Sequence, residues 1–427
     1  MAALFTVDFQ NCFIFILVCL FSILFYSLLF KKSKAGFNLP PSPPSLPIIG
    51  HLHLLLSFLI HKSLQKLSSK YGPFLHLRVF NVPIVLVSSA SIAYEIFTAH
   101  DVNVSTRNLP TNEGSLFFGS LGFTTAPYED YWKFMKKLIV TKLLGPQALE
   151  RSGGIRAEEV ERFYSNLLDK AMRKDLFRGE RPLKKFGISP FKKELASLST
   201  RFDEVLEKIL VEYEDNIDEH HQGTDTSTHA IQWKMAEIIN NPNILERLRE
   251  EIDFVVGKSR LIQETDVPNI PFLQAVVKEG LRLHPPVPIL VRMFQESCEI
   301  KDFYIAEKTT LLVNLYDMMR DPDTWEDPEE FKPERFLASS RSEQEDKIRA
   351  EVLKYIPFGS GRRACPGSNL AYESIAIAIG VMVQCFDWKF KGDKVNMEEA
   401  RGAMTLTMAH PFKCTLVPRT ILPFTSS

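Results

Sequence analysis

PFGSGRRACPG, residues Pro357–Gly367, is the stretch on which the fold of this chain turns. Gly359, Gly361 and Gly367 crowd around one cysteine, Cys365. Glycine opens backbone conformations closed to other residues and lets a chain approach a flat surface closely. Pro366 suits the first turn of a following helix, so the cysteine is predicted just ahead of a helix N-terminus. Free N–H groups and the helix dipole there favour a negative charge, and thiolate is the form of cysteine that ligates metal. Arg363 is placed to reach an anionic group, and Phe358 to screen a metal–sulfur bond from water. A lone cysteine is more often buried and inert. The ten residues around this one argue instead for iron ligation.

Outward from the loop, Ser368–Phe386 reads as a long apolar helix. Phe272–His284 is another, stopped by Pro285 and Pro286, because proline disfavours helix in the residue before it. Within it Glu279 and Arg282 share one face. A solvated pair of this kind contributes almost nothing, but Val276, Val277, Leu281 and Leu283 give it apolar neighbours. A buried pair then needs further partners. Ala230–Ile239 carries Ile231, Met235, Ile238 and Ile239 at helical spacing, and Phe202–Tyr213 repeats the pattern. Phe74–Val79 and Val82–Val87 concentrate β-branched and aromatic residues and read as strands. The fold class is mainly α with a minor β part.

The chain has 427 residues, 45% apolar and 24% charged, with a net charge of −1. This supplies one large core or two smaller ones and gives no basic surface for nucleic acid. Six cysteines form no CxxC pair, and two of them, Cys12 and Cys19, lie in the N-terminal apolar run, so a reducing compartment is indicated rather than a disulfide framework. Cys12–Phe30 contains no charged residue. At 1.5 Å per residue it extends about 28 Å, close to the hydrocarbon thickness of a bilayer. A cleaved signal peptide would need a basic leader and a small-residue cleavage site, and neither is present. Residues 1–30 are therefore read as a membrane anchor, spanning 12–30. Lys31, Lys32 and Lys34 follow, which leaves the remainder cytosolic by the positive-inside rule. Residues 31–50, basic and then proline-rich, form a stiff hinge, and 51–427 the body.

Pro357–Gly367 resembles the haem-binding loop of cytochromes P450, Phe-x-x-Gly-x-Arg-x-Cys-x-Gly, with Phe358, Gly361, Arg363, Cys365 and Gly367 at its fixed positions. The resemblance covers nearly the whole chain. Phe358–Ser374 is most similar to plant microsomal A-type enzymes, such as flavone synthase II, pterocarpan hydroxylases and thalianol-type triterpenoid hydroxylases. It implies the cytochrome P450 fold, haem b on Cys365, dioxygen, a small lipophilic substrate, and electrons from NADPH through NADPH-cytochrome P450 reductase at the endoplasmic reticulum membrane. It implies that Arg335 joins Glu279 and Arg282 to hold the haem-side loop, and that Trp132, Lys136, Arg292 and Arg363 seat propionates. Lys136 stands where the family commonly has arginine, keeping the charge but losing the bidentate fork. The plainer alternative there is an interfacial tryptophan with a solvated lysine. Gly223–Thr228, GTDTST, resembles the helix segment over the iron, where Asp225 and Thr226 would deliver protons. By itself GTDTST also suits a polar turn or helix cap. Substrate would be lined by Leu109–Thr125, Val287–Val291 and Gly402–Met408.

The chain departs from the family in length. Trp132 to Asp225 is a much shorter interval than usual, with joints near Met172–Pro182 and His220–Gln222, so several central helices are expected to be missing between about 170 and 223. Asp218, Glu219, His220, His221 and Gln222 stand where the family has an apolar half-helix. Charges are rarely buried unpaired, so this segment is expected to turn toward water or fray. The first reading is a monooxygenase. The alternative is a trimmed haem-binding chain that is inactive or poorly coupled.

Overall fold

The computed structural model describes residues 2–29, 38–107, 123, 126–172, 222–337, 354–390, 392–401, 405–410 and 413–419. The joints predicted near 172–182 and 220–222, the helix at 202–213 and nearly all of the 109–125 loop lie outside these residues; Met172 and the backbone of Gln222 are the joint residues that fall within them.

The helices used below are α1 (Ala2–Leu29), α2 (Ile60–Tyr71), α3 (Ala90–Ala99), α4 (Asp130–Leu138), α5 (Gly153–Met172), α6 (Gln222–Asn240), α7 (Pro242–Val255), α8 (Pro271–Leu283) and α9 (Ser368–Cys385). The strands are β1 (Phe74–Val79), β2 (Val82–Val87), β3 (Ile289–Met293), β4 (Cys298–Ile300), β5 (Phe303–Ile305), β6 (Thr310–Asn314), β7 (Phe386–Phe390) and β8 (Cys414–Pro418). The larger sheet has the order β1-β2-β6-β3. Its β2–β6 pair is parallel and its other two pairs are antiparallel. β4–β5 and β7–β8 are separate two-stranded sheets. The described architecture is thus mainly helical with a minor β part.

The predicted apolar run falls on α1, whose described side chains, such as Phe13, Phe15 and Phe21, are exposed. Among the described residues, the helix long and apolar enough to cross a membrane is α9, but every residue from Ile375 to Cys385 is buried. It packs with Phe163 and Leu167 of α5, Leu248 and Ile252 of α7, and Leu273 and Val277 of α8. Full burial of each such side chain contributes roughly 1.5–3 kcal/mol. The proline-rich stretch is tied to the body. Pro41 O accepts the His76 N–H at 2.8 Å, and Gly50 bridges to Val79.

Helix ends follow local chemistry with one long-range exception. α8 opens on Pro271, which has no N–H to leave unsatisfied. Its next two N–H groups, Phe272 and Leu273, are capped by the Glu251 carboxylate of α7 at 3.0–3.2 Å. α8 ends at Leu283, one residue short of the predicted His284, which becomes the C-cap. The helix after the cysteine loop starts at Ser368 with Gly367 as N-cap. Pro366 therefore precedes the helix instead of occupying its first turn, and the cysteine stands further from the helix than predicted.

Candidate functional site

Cys365 follows a tight turn, Gly361–Arg363, and precedes α9. The Cys365 N–H donates to Phe358 O at 3.0 Å, Gly359 N–H to Ile356 O at 2.9 Å and Ala364 N–H to Gly361 O at 3.0 Å. Gly359 and Gly361 adopt φ of +74° and +71°, the left-handed region that favours glycine. At Gly361 a Cβ would also overlap Asp101, whose carboxylate accepts the Arg362 N–H at 2.9 Å. Gly367 differs. Its φ of −92° suits any residue, and a Cβ would meet no protein atom within 4 Å. Its N–H donates to the Cys365 sulfur. Cys365 itself is exposed. The protein packed around the thiol pushes its pKa up, while Gly367 N–H, Arg107 and Lys136 pull it down.

Cations gather around this loop. Arg363 is buried, donates Nε to Ser105 O at 2.6 Å and Nη2 to Ala126 O, and lies 4.1 Å from the Trp132 ring. Its Nη1 is buried without a hydrogen-bond partner. Trp132, on α4, is held between the rings of Phe123 and Tyr128 at 5.5 and 5.3 Å. One turn along α4, Lys136 sets Nζ 5.2 Å from the same ring and donates to Arg362 O. Arg292, buried on β3, donates to Arg363 O at 3.3 Å. Burial depresses each of these cations, and they then depress one another. Arg292 falls to about 9 through burial, Arg107 and Arg363. Arg363 falls to about 10 through burial and Arg107. Lys136 is lowered by burial, with Arg363 and Arg362 adding to it. Among the described residues, Asp101 is the carboxylate that answers them, and Tyr128 and the Cys365 sulfur answer them only when deprotonated. Cations packed until they repel, one with a buried N–H unmet, suit a ligand bearing more than one negative charge.

Sequence reasoning found Trp132, Lys136, Arg292 and Arg363 and missed Arg107 and Asp101. Both lie more than two hundred and fifty residues before Cys365, and neither sits in a pattern that marks it.

A second cluster supports the site from behind. Glu279 and Arg282 are fully buried. Arg282 grips the Glu279 carboxylate with two bonds of 2.8 Å, and Arg335 Nε joins at 3.0 Å. Arg282 also donates to Met319 O and Pro328 O at 2.8 Å, so this single side chain fixes the strand-to-loop segment near 319–330. A buried ion pair survives only with such additional partners.

Gly223–Thr228 forms the first described turns of α6, which removes the isolated-turn reading and is compatible with both the helix-start and the mid-helix readings. Thr226 is half-buried and Thr228 buried; Asp225 shares the helix, and its side chain lies outside the described residues. Of the predicted substrate-lining segments, Gly402–Met408 reaches α6 through Leu406, which also bonds the residue before Val287–Val291. Leu406 N–H donates to Pro286 O, next to Val287, and Trp233 Nε1 of α6 donates to Leu406 O, both at 2.9 Å.

The sequence profile described as Cytochrome P450 matches residues 40–219 and 221–416. The chain belongs to the cytochrome P450 family. Cytochrome P450 705A5 of Arabidopsis thaliana is 57% identical over 511 aligned positions, covering 99% of this chain and all of that protein. The 3,9-dihydroxypterocarpan 6A-monooxygenase of Glycine max is 34% identical over 96% of this chain and 98% of its own length. A zebra fish cytochrome P450 solved with progesterone shares the fold at a TM-score of 0.67 and 20% identity, over 84% of this chain and 99% of that one. This P450 is a plant-type monooxygenase, and its cofactor is haem, which supplies dioxygen activation when bound. The residues in hand fit that group. The exposed thiol, the open side of Gly367 and the unmet N–H of Arg363 amid repelling cations match an iron, a flat ring and its carboxylates.

Proposed function

We propose that this P450 hydroxylates a small lipophilic plant metabolite of the triterpenoid or flavonoid class, drawing electrons from NADPH through a reductase. Cys365 carries this reading. It is exposed, its sulfur accepts a backbone N–H, and cations ring it. In this reading Cys365 holds the iron, Trp132, Lys136, Arg292 and Arg363 receive the propionates, Gly367 clears the ring and Phe358 shields the sulfur. Asp225 and Thr226 hold the protons delivered on the other face. Exposed Arg362, in the cysteine loop, and exposed Lys133, which like Arg362 contacts Tyr128, suit an acidic flavoprotein surface. The substrate class rests on the plant relatives, among them the pterocarpan monooxygenase. Product profiling of the chain co-expressed with its reductase, against triterpene and flavonoid panels, tests it. Turnover confined to a different chemical class would overturn the substrate assignment. For the ligand, reduced carbonyl spectra of the wild type and Cys365→Ala decide: the red-shifted thiolate band is expected to vanish in the variant.

The seat of the enzyme is read as the endoplasmic reticulum membrane. Two features support it: the exposed apolar flank of α1 and a second apolar surface on the body. There Ile48, Phe80 and Val82 are all at least half exposed, and Phe80 N–H bonds Ile49 O. Removing residues 1–30 is expected to release much, but not all, of the protein from membranes and to leave the haem spectrum intact. Loss of that spectrum would give the anchor a structural role.

Internal shortening belongs to the same proposal. The alignment to 705A5 runs over 511 positions against 427 residues here, and the family match breaks at 220. Sequencing the transcript across 170–223 tests it. The inactive alternative draws no support from the described residues, which assemble the thiol loop, the cation cluster and the Glu279 set.

A further inference from the structure

α6 carries a buried lysine that the proposed site does not use. Lys234 is fully buried, and its Nζ donates to Ala230 O at 3.2 Å, one acceptor for three possible hydrogens. Its stem runs through a slot left by Gly280 of α8, where a Cβ would overlap Lys234 Cγ. Burial brings its pKa down to about 7, so the amine exchanges protons near neutrality. Beside it stands His284, stacked on Trp233 at 4.2 Å. His284 Nε2 meets Glu237 Oε1 at 2.7 Å, and Glu237 keeps some solvent contact. His284 Nδ1 is buried with no hydrogen-bond partner. The charged groups that act on His284 are Glu237, Arg320 and Lys234. Lys234 acts on His284, and both are buried and under-bonded, which is the pairing a bridging water with two to four partners satisfies.

Thr226, Ala230 and Lys234 are spaced by four and lie on one stripe of α6. Ala230, which holds the amine, is one turn from Thr226, about 6 Å along the axis at 1.5 Å per residue. We propose that Glu237, His284 and Lys234 form a water-bridged proton relay that feeds Thr226 from the protein surface. This rests on Thr226 being the proton-delivering alcohol of the site. With the ring hydrogen on Nδ1, a proton taken up at Glu237 passes to His284 Nε2 while Nδ1–H is released through water to Lys234 Nζ, and moving the ring hydrogen from Nε2 back to Nδ1 through water resets the histidine. The ammonium then yields a proton through water toward Thr226 Oγ1. Only O–H and N–H bonds change, and no electron moves.

The test uses the full chain with its haem and reductase and four variants: Thr226→Ala, Lys234→Met, Glu237→Gln and Lys234→Met with Glu237→Gln. Methionine fills the slot without the amine, and haem occupancy checks that each variant folds. Product rate, peroxide yield and solvent isotope effect are read across pH. Lys234→Met is expected to slow product formation on the order of ten-fold, the low end of general acid–base effects, and to change the isotope effect. Glu237→Gln is expected to do the same, and the double variant no more. A second readout needs no turnover: the unfolding midpoints of wild type and Lys234→Met apoprotein are expected to converge as pH rises above 7. If Thr226→Ala alters the profile while Lys234→Met matches wild type, the relay is wrong and the Thr226 assignment stands. If Thr226→Ala alters nothing, that assignment fails and the relay falls with it. Parallel midpoint curves at all pH values also overturn it.

Discussion

Two glycines of the cysteine loop make opposite demands. At Gly361 the protein itself forbids a side chain, since φ is positive and Asp101 fills the space. Gly361→Ala is therefore expected to lower the unfolding temperature of the apoprotein. At Gly367 the protein forbids nothing. Gly367→Ala is expected to leave apoprotein stability unchanged and to reduce haem retention, measured by absorbance after gel filtration. Equal haem content in wild type and Gly367→Ala would mean that the open side faces no ring. In the Glu279 set, Glu279→Gln leaves Arg282 buried with its charge unmatched. Breaking such a pair costs about 3–5 kcal/mol, a large share of a typical stability of about 5–15 kcal/mol, and denaturant titration measures it. The residues of the loop were legible because their meaning is carried by immediate neighbours. Asp101 and Arg107 were not, because folding alone brings them to Arg362 and Cys365.

At the scale of elements, the two strands Phe74–Val79 and Val82–Val87 have the bounds their β-branched composition predicts. Strand ends are set by side chains in the strand. The ends of α8 and α9 each fell one residue short of the predicted bounds, because caps depend on backbone geometry that composition does not carry. Lys234 was illegible for another reason: a charged residue in a helix normally marks the solvent face, and here Gly280 on α8 removes the obstacle to burying it. That burial has an energetic sign. The folded pKa is about 7 against an ordinary 10.5. Below pH 7 both states are protonated and the full penalty applies. Between 7 and 10.5 the unfolded state binds more protons, so stability rises with pH, and above 10.5 the penalty is gone. Lys234→Met is accordingly expected to raise stability at pH 7 by a few kcal/mol, on the order of what burying an amine costs, and by almost nothing at pH 11. Thermal scans at the two pH values check this.

Across the whole molecule, Glu399 fastens the C-terminal segment to α2. Its carboxylate meets His61 Nε2 at 2.8 Å and Lys62 Nζ at 3.0 Å. Burial works against the charge, but His61 and Lys62 together outweigh it and bring the pKa from 4.5 to about 2. A depressed carboxylate stabilises above its unfolded pKa, and that contribution fades as pH falls from 4.5 toward 2. Glu399→Gln is expected to cost roughly 0.5–1 kcal/mol near pH 7, after allowance for solvent screening, and nothing near pH 2. Equal losses at both values would assign the effect to packing. The overall class, mainly α with a small sheet, was legible from periodicity. The order of the sheet was not, because β2 and β6 are strangers in sequence. That pairing, Ile84 with Thr310 onward, has a consequence in time. A ribosome adding about 5–20 residues per second needs roughly 10–45 s to make the intervening stretch of about 220 residues. For that interval the nascent β2, VPIVLV, offers an apolar edge with no partner, the kind of edge that recruits other chains. The yield of folded enzyme is thus a race between elongation and aggregation, and faster translation or a chaperone that covers this hairpin tilts it toward the native sheet.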